Sequence, residues 1–463
     1  MNKLKIVLIF FALSVNILTF AKNIDLLVTI KKININGKEV TVNTVVQPDG
    51  TWGYYGIEGD EFDVTVKNEL KYPTVLHWHG MLLPNNQDGT ELTQPLIQPG
   101  KSYHYHYKLK QSGTYWMHSH YGFQEQTYVE APLIIYPKGY DPKNDIVIMF
   151  QDFSFKSPEK IMEDLKNNPM SKHNMKMDMD MGSMKHINTK AEEPDLNDVD
   201  YDAFLTNYHT LQNPISQRVI PGETYRLRFI NGSSATNFWI NLGGLDGTAI
   251  AVDGNKIKPF KDNLFQLAIA QRMDIEITIP KTGGVFPILG QVEGEKQQTG
   301  LILYTNDNKI PNIPETTHNQ SPEFNYEQTK KTHADGNELT DIKHAEAINI
   351  NLSGDMNNYI WQINGQSWPD VTPINLTKGK AYTLQITNDT GMSHPIHIHG
   401  HVVKIIAIND KPIMNGAVRD TVYVVAKSSI TVVMEADVSG KWFIHCHMLY
   451  HMHSGMMTFI KTK

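Results

Sequence analysis

Four His-x-His pairs constrain this chain more than any other feature. His77-Trp78-His79 and His118-Ser119-His120 lie in its first third, and His397-Ile398-His399 and His445-Cys446-His447 lie near its end. Random placement of 20 histidines in 463 residues gives about one such pair, whereas seven occur. On a β-strand, residues i and i+2 project from one face, so each pair can offer two imidazoles side by side. Eight imidazoles are too many for one ion. They suit a cluster of coppers, for which imidazole is a good ligand, and the chain must then bring its two ends together around that cluster.

The pair around Cys446 carries more information. If His445 and His447 face one way, Cys446 faces the other and its thiolate can bind a separate ion. His451 lies five residues on and Met456 ten, while His394 precedes His397 in His394-Pro395-Ile396-His397. Two His, one Cys and a weak Met are the ligand set of a blue electron-transfer copper. The flanking residues would join that copper to the cluster through a few covalent bonds. His104 and His106 alternate with Tyr103, Tyr105 and Tyr107 and read as a solvent-facing strand row. His401 reads as a core or supporting residue, and His453 has no assigned role.

The background to these motifs is β-structure. Short alternating runs such as Glu61 to Val66, Tyr225 to Ile230 and Tyr382 to Thr387 are separated by Gly, Pro, Asn and Asp, the pattern of sandwiches. A related phrase occurs three times. Gly59, Gly222 and Gly379 each precede a strand that ends at an Asn, namely Asn68, Asn231 and Asn388, which points to a repeated domain. The expected units are residues 22–140, 141–310 and 344–463, with a Pro-bearing linker over 311–343. An insert over about 160–200 breaks the pattern with Met170, Met175, Met177, Met179, Met181 and Met184.

Lys3 and Lys5 followed by an apolar run from Ile6 to Phe20 read as a signal peptide over 1–21, with Ala21 at its end. The mature protein is then expected outside the cytoplasm, in the periplasm, with no membrane span. A net charge of −7 gives no footprint for nucleic acid. The single cysteine permits no internal disulfide, and a lone thiol in an oxidising compartment is protected if a metal holds it.

At these residues the chain resembles the multicopper oxidases, and within them the bacterial copper-resistance protein A type. Gly113-Thr114-Tyr115-Trp116-Met117-His118-Ser119-His120, Gly122-Phe123-Gln124-Glu125-Gln126, Arg226 to Gly232 and His447-Met448-Leu449-Tyr450-His451-Met452 carry the likeness. The resemblance implies an all-β chain of three cupredoxin-like Greek-key domains. It implies four copper ions and one-electron oxidation of a donor coupled to reduction of O2 to water. His77 and His397 would hold type 2 copper. His79, His118 and His447 would hold one type 3 ion, and His120, His399 and His445 the other. His394, Cys446, His451 and Met456 would hold type 1. The second unit would be a spacer, and a monomer is expected.

The chain departs from some relatives where a proton-delivering Glu would follow His451, because Met452 stands there. Asp88, in Asn86-Gln87-Asp88-Gly89, is the alternative candidate, although Asp-Gly is also a common turn. Thioether sulfur prefers Cu(I). Met175, Met177, Met179, Met181 and Met184, with Met392 and Asp389 near His394, therefore point to Cu(I) as the donor. Phenols or Fe(II), as in a laccase or ferroxidase, are the alternative donors. A copper-sequestering protein without turnover is an alternative of another class. A copper nitrite reductase shares the blue copper but needs no four-pair cluster.

Overall fold

The structure is a computed structural model and describes residues 23–167, 196–305, 309–336 and 344–463. The methionines from Met170 to Met184 and the expected N-terminal signal lie outside these residues. Three sandwiches follow one another. The first packs Lys38–Val46, Ile24–Ile35, Glu61–Asn68 and Ser102–Lys108 against Tyr54–Ile57, Glu130–Tyr136, Gly113–Ser119 and Leu76–His79. The second lies between Asp145 and Tyr304, with six-stranded and five-stranded sheets. The third lies between Glu346 and Thr462.

The repeated phrase is the same structural unit each time. Gly59, Gly222 and Gly379 have φ of 93°, 85° and 81°, which glycine adopts without the steric cost of a Cβ. Each strand that follows pairs in parallel with the first strand of its domain: Glu61–Asn68 with Ile24–Ile35, Thr224–Asn231 with Asp145–Phe153, and Ala381–Asn388 with Glu346–Asp355. Each terminal Asn is buried, and its side-chain oxygen accepts the N–H two residues on, at Leu70, Ser233 and Thr390. Its amide donates to nearby carbonyls: Tyr72 and Ile97, Thr236 and Leu267, Met392 and Val424. The Asn thus closes the loop that leads into the next strand. In the first and third domains that strand carries His77 and His394.

The apolar cores follow a different grouping. Residues of the first and third domains, joined by Met149, Ile230 and Ile269 of the second, form one continuous cluster that includes Leu26, Trp78, Trp116, Trp361, Ile396 and Trp442. The second domain has its own cluster around Phe150, Phe229 and Ile275. The residues expected to link domains are partly packed. Trp239 Nε1 donates to the Pro322 carbonyl at 2.7 Å, and Phe324 packs with Trp239, Ala268 and Tyr423. A helix, Pro158–Asn167, opens the insert. Pro158 suits a first helical turn, and Ser157 Oγ accepts from the Lys160 N–H as its cap. No helix among the described residues is long and apolar enough to cross a membrane.

Candidate metal centres

The His-x-His strands meet face to face. Leu76–His79 pairs antiparallel with Gly113–Ser119, placing His77 opposite His118. His394–Ile398 pairs antiparallel with Gly440–Cys446, placing His397 opposite His445. The two strand pairs then close on each other, with the His77 ring stacked on His399 at 3.9 Å and His79 on His397 at 3.6 Å. All eight imidazoles are buried. Burial pushes His79, His118, His120, His397, His399 and His447 well below the usual imidazole range and His445 down to about 4. Neutral rings with free lone pairs result.

Hydrogen bonds decide which nitrogen is free. Nδ1–H of His77 donates to the Asp88 carbonyl at 2.7 Å, and that of His397 to the Asp420 carbonyl at 2.9 Å. Nε2 of both rings has no hydrogen-bond partner. His79 is reversed. Its Nε2 faces Asp420 Oδ1 at 3.1 Å and Thr421 Oγ1 at 3.0 Å, and its Nδ1 is the orphan. His399 Nδ1 donates to Asp88 Oδ2 at 3.0 Å and His445 Nδ1 to the Cys446 carbonyl at 2.9 Å. Their Nε2 lone pairs then face each other at 3.0 Å, with His120 Nε2 3.4 Å from that of His445. His118 and His447 approach through Nε2 at 3.4 Å. Converging lone pairs repel unless a cation lies among them, so the donor set fits copper.

Cys446 lies on the other face of its strand, as alternation requires. Its Sγ is 3.6 Å from His394 Nδ1 and 3.8 Å from His451 Nδ1, and those two nitrogens are 3.2 Å apart. Thr390 Oγ1 binds His394 Nε2 at 2.7 Å, and Asp198 Oδ2 binds His451 Nε2 at 2.7 Å. Both Nδ1 atoms are therefore left as lone pairs beside the sulfur. Burial pushes the thiol up, so a bound cation has to displace its proton. Met456 is buried, and its carbonyl accepts the Cys446 N–H at 3.0 Å. Trp361 covers the site, its ring 3.9 Å from that of His451.

Three supporting carboxylates escaped the sequence reading. Glu125 Oε2 is 2.9 Å from His118 Nδ1, and its Oε1 is 3.6 Å from His447 Nδ1. Burial, with Glu130 and Asp152 nearby, pushes Glu125 well above the usual carboxylate range. Asp420 is held by Arg272 of the second domain. Asp198, also from the second unit, holds His451 and accepts from the Tyr359 hydroxyl. The second unit is therefore more than a spacer, because Asp198 binds the His451 ring directly and Arg272 holds the Asp420 carboxylate that faces His79. Glu125 lies inside the sequence run Gly122 to Gln126, and Asp420 beside Thr421 next to an Arg. Asp198 is one acid among many between Glu192 and Asp202.

Other candidates fall elsewhere. Asp88 is both a turn residue, followed by Gly89 at φ 75°, and a buried contact of the cluster through His399 and His77. Met392 is buried in the common core, whereas Asp389 is exposed with its carbonyl bound to Lys427. The two do not offer one accessible donor face. His401 is buried with Nδ1 on the His399 carbonyl. His453 binds the Gly122 carbonyl at 2.8 Å. Met452 is buried.

Family models described as multicopper oxidase match residues 56–139, 145–307 and 341–463. A multicopper oxidase from Mycobacterium tuberculosis, MmcO, is 31% identical over 86% of this chain and 79% of its own length. A copper resistance protein A homolog from Pseudomonas syringae pv. tomato is 27% identical over 95% of this chain and 92% of its own. Among solved structures, Fet3p, titled a multicopper oxidase that functions in iron import, superposes with a TM-score of 0.77 at 18% identity, covering 96% of this chain and 90% of that one. The laccase from Botrytis aclada gives 0.77 at 21%, covering 95% and 87%.

Proposed function

This chain belongs to the multicopper oxidase family and is an oxidoreductase with O2 as acceptor; on that premise we propose that it is an exported, periplasmic enzyme of copper tolerance whose electron donor is Cu(I). We assign it four copper ions. His394, Cys446 and His451, with Met456 as weak ligand, hold type 1. His77 and His397 hold type 2. His79, His118 and His447 hold one type 3 ion, and His120, His399 and His445 the other. When bound, copper supplies one-electron transfer at the thiolate site and reduction of O2 to water at the cluster. Cys446 joins the two sites covalently through His445 and His447. Asp420 and Glu125 hold ligand tautomers, and Asp88 is our assignment for the carboxylate that delivers protons.

One observation carries the choice of donor. Both flanks of the methionine segment are fixed beside His451. On the C-terminal side Asp198 binds His451 Nε2. On the N-terminal side Met162 Sδ accepts from the hydroxyl of Ser454, which follows the helix Leu449–His453. The described residues that flank a segment rich in thioethers, which prefer Cu(I), thus contact His451 and Ser454. The His394 and His451 rings are fully buried, which disfavours direct contact with a phenol. Asp198 supports Fe(II) as a second reading, because a carboxylate oxygen is a harder ligand than a thioether.

Oxygen uptake with Cu(I), Fe(II) and a phenol, for the wild type and a variant lacking residues 170–186, tests the proposal. The expected result is loss of Cu(I) turnover with phenol oxidation retained or improved. Equal loss for every donor would sink the Cu(I) reading. Loss confined to Fe(II) would favour the second.

A further inference from the structure

We propose that the outer face of the first domain carries a binding site for a borderline divalent ion, Zn(II) or Cu(II), built from His104, His106, Asp63 and Glu61. These residues lie on two adjacent antiparallel strands, with Asp63 opposite His106 and Thr65 opposite His104. The strand Ser102–Lys108 is an edge of its sheet. Its alternation puts Tyr105 and Tyr107 into the core and leaves His104 and His106 outside. Packing therefore does not account for the two imidazoles.

Imidazole and carboxylate together suit Zn(II) and Cu(II), and a strand His-x-His pair presents both rings to one side. His104 Nε2 lies 2.6 Å from Asp63 Oδ1, and His106 Nε2 lies 3.7 Å from Glu61 Oε2. A tetrahedral ion with bonds of about 2.0–2.1 Å holds neighbouring ligand atoms about 3.3 Å apart, a value between those two separations. The His104 and His106 rings are 6.2 Å apart and inclined by 29°. With side chains 51% and 57% exposed, they are free to turn toward a common ion. Lys67, the nearby cation on the same row, is engaged by Asp25. Lys108 stands opposite Glu61 in the register, so Asp63 is the stronger carboxylate candidate.

Its two histidines are exposed, whereas the eight paired imidazoles of the copper cluster are buried. The alternative is that the row only guards an edge strand against pairing with another chain, a common use of polar side chains there. Equilibrium dialysis of the copper-loaded full chain against Zn(II), followed by elemental analysis, distinguishes the two. The wild type should take up one zinc equivalent more than the His104→Gln/His106→Gln double variant, with copper content and blue absorption unchanged in both. Asp63→Asn should bind that equivalent at least about tenfold more weakly. Equal zinc uptake by the wild type and the double variant, or none by either, would overturn the proposal.

Discussion

Replacing Arg272 by Met tests whether the second domain holds the cluster in shape. Arg272 is fully buried. Its guanidinium binds both carboxylate oxygens of Asp420, Nη1 to Oδ1 at 2.8 Å and Nη2 to Oδ2. It also reaches the carbonyls of Ala270 at 2.8 Å and Thr114 at 3.3 Å. One side chain of the second domain thus engages all three domains. Removing one partner of a buried pair leaves an uncompensated charge and costs about 3–5 kcal/mol, a large part of ordinary domain stability. Burial already raises the Asp420 carboxyl, and without Arg272 it would take up a proton. His79 Nε2 would then lose the charged one of its two acceptors and keep only the Thr421 hydroxyl. Losing such a partner weakens metal retention about 10–100-fold.

Denaturation midpoints, copper per chain and the near-ultraviolet type 3 band read both effects. The expected Arg272→Met protein is less stable and deficient in type 3 copper. The double variant Arg272→Met/Asp420→Leu should recover much of the stability but not the copper, because His79 still lacks its carboxylate acceptor and has only Thr421 Oγ1. A single variant that loses less than about 1 kcal/mol and keeps a full type 3 band would refute the reasoning.

His397→Ala should deplete one copper and stop O2 reduction while the blue site is still reduced by donor, as seen by paramagnetic resonance and stopped-flow absorbance. Normal turnover would remove His397 from the ligand set. Asp198→Asn replaces a charged acceptor on His451 by a neutral one, a difference of about 1.4 kcal/mol, so kcat/KM for Cu(I) should fall about tenfold with copper content intact. Glu293 is pushed up to about 7 by burial, while its oxygens accept from the Phe324 N–H and the Asn237 amide. Between the unfolded value near 4.5 and about 7 the folded chain keeps a proton that the unfolded chain has released. This contribution is therefore complete at low pH and lost as pH rises through that window. Glu293→Gln should gain about 3 kcal/mol relative to the wild type between pH 4 and pH 8, measured by denaturant midpoints, and a flat difference would contradict it.

The parts legible in the sequence are those set by local spacing. Period-two alternation puts His445 and His447 on one side of the strand and Cys446 on the other, whatever surrounds it. The glycine-to-asparagine phrase recurs because each domain closes the same loop with the same side chain, Asn68, Asn231 or Asn388. The parts that were not legible depend on contacts between distant segments. Asp198 touches His451 across 253 positions, and Arg272 reaches Asp420 across 148. Nothing local to either marks the encounter. Glu125 sits only five residues beyond His120, yet its role appears only once His447 is brought beside His118. The polar stretch with Pro311, Pro314 and Pro322 reads as a linker, but Phe324 and Tyr326 within it are apolar and pack into the neighbouring domains. Met392 illustrates the opposite error, because its closeness to His394 in sequence says nothing about which way its side chain is buried.

The central claim is that Cys446 and the eight paired imidazoles hold a blue copper wired to a cluster. It is tested most directly by counting copper per chain and recording the visible spectrum of the wild type and of Cys446→Ser. The account predicts four coppers and an intense blue thiolate band in the wild type, with three coppers, no blue band and no steady O2 uptake in the variant. A copper-loaded wild type without blue absorption, or a Cys446→Ser variant that keeps it, would contradict the account.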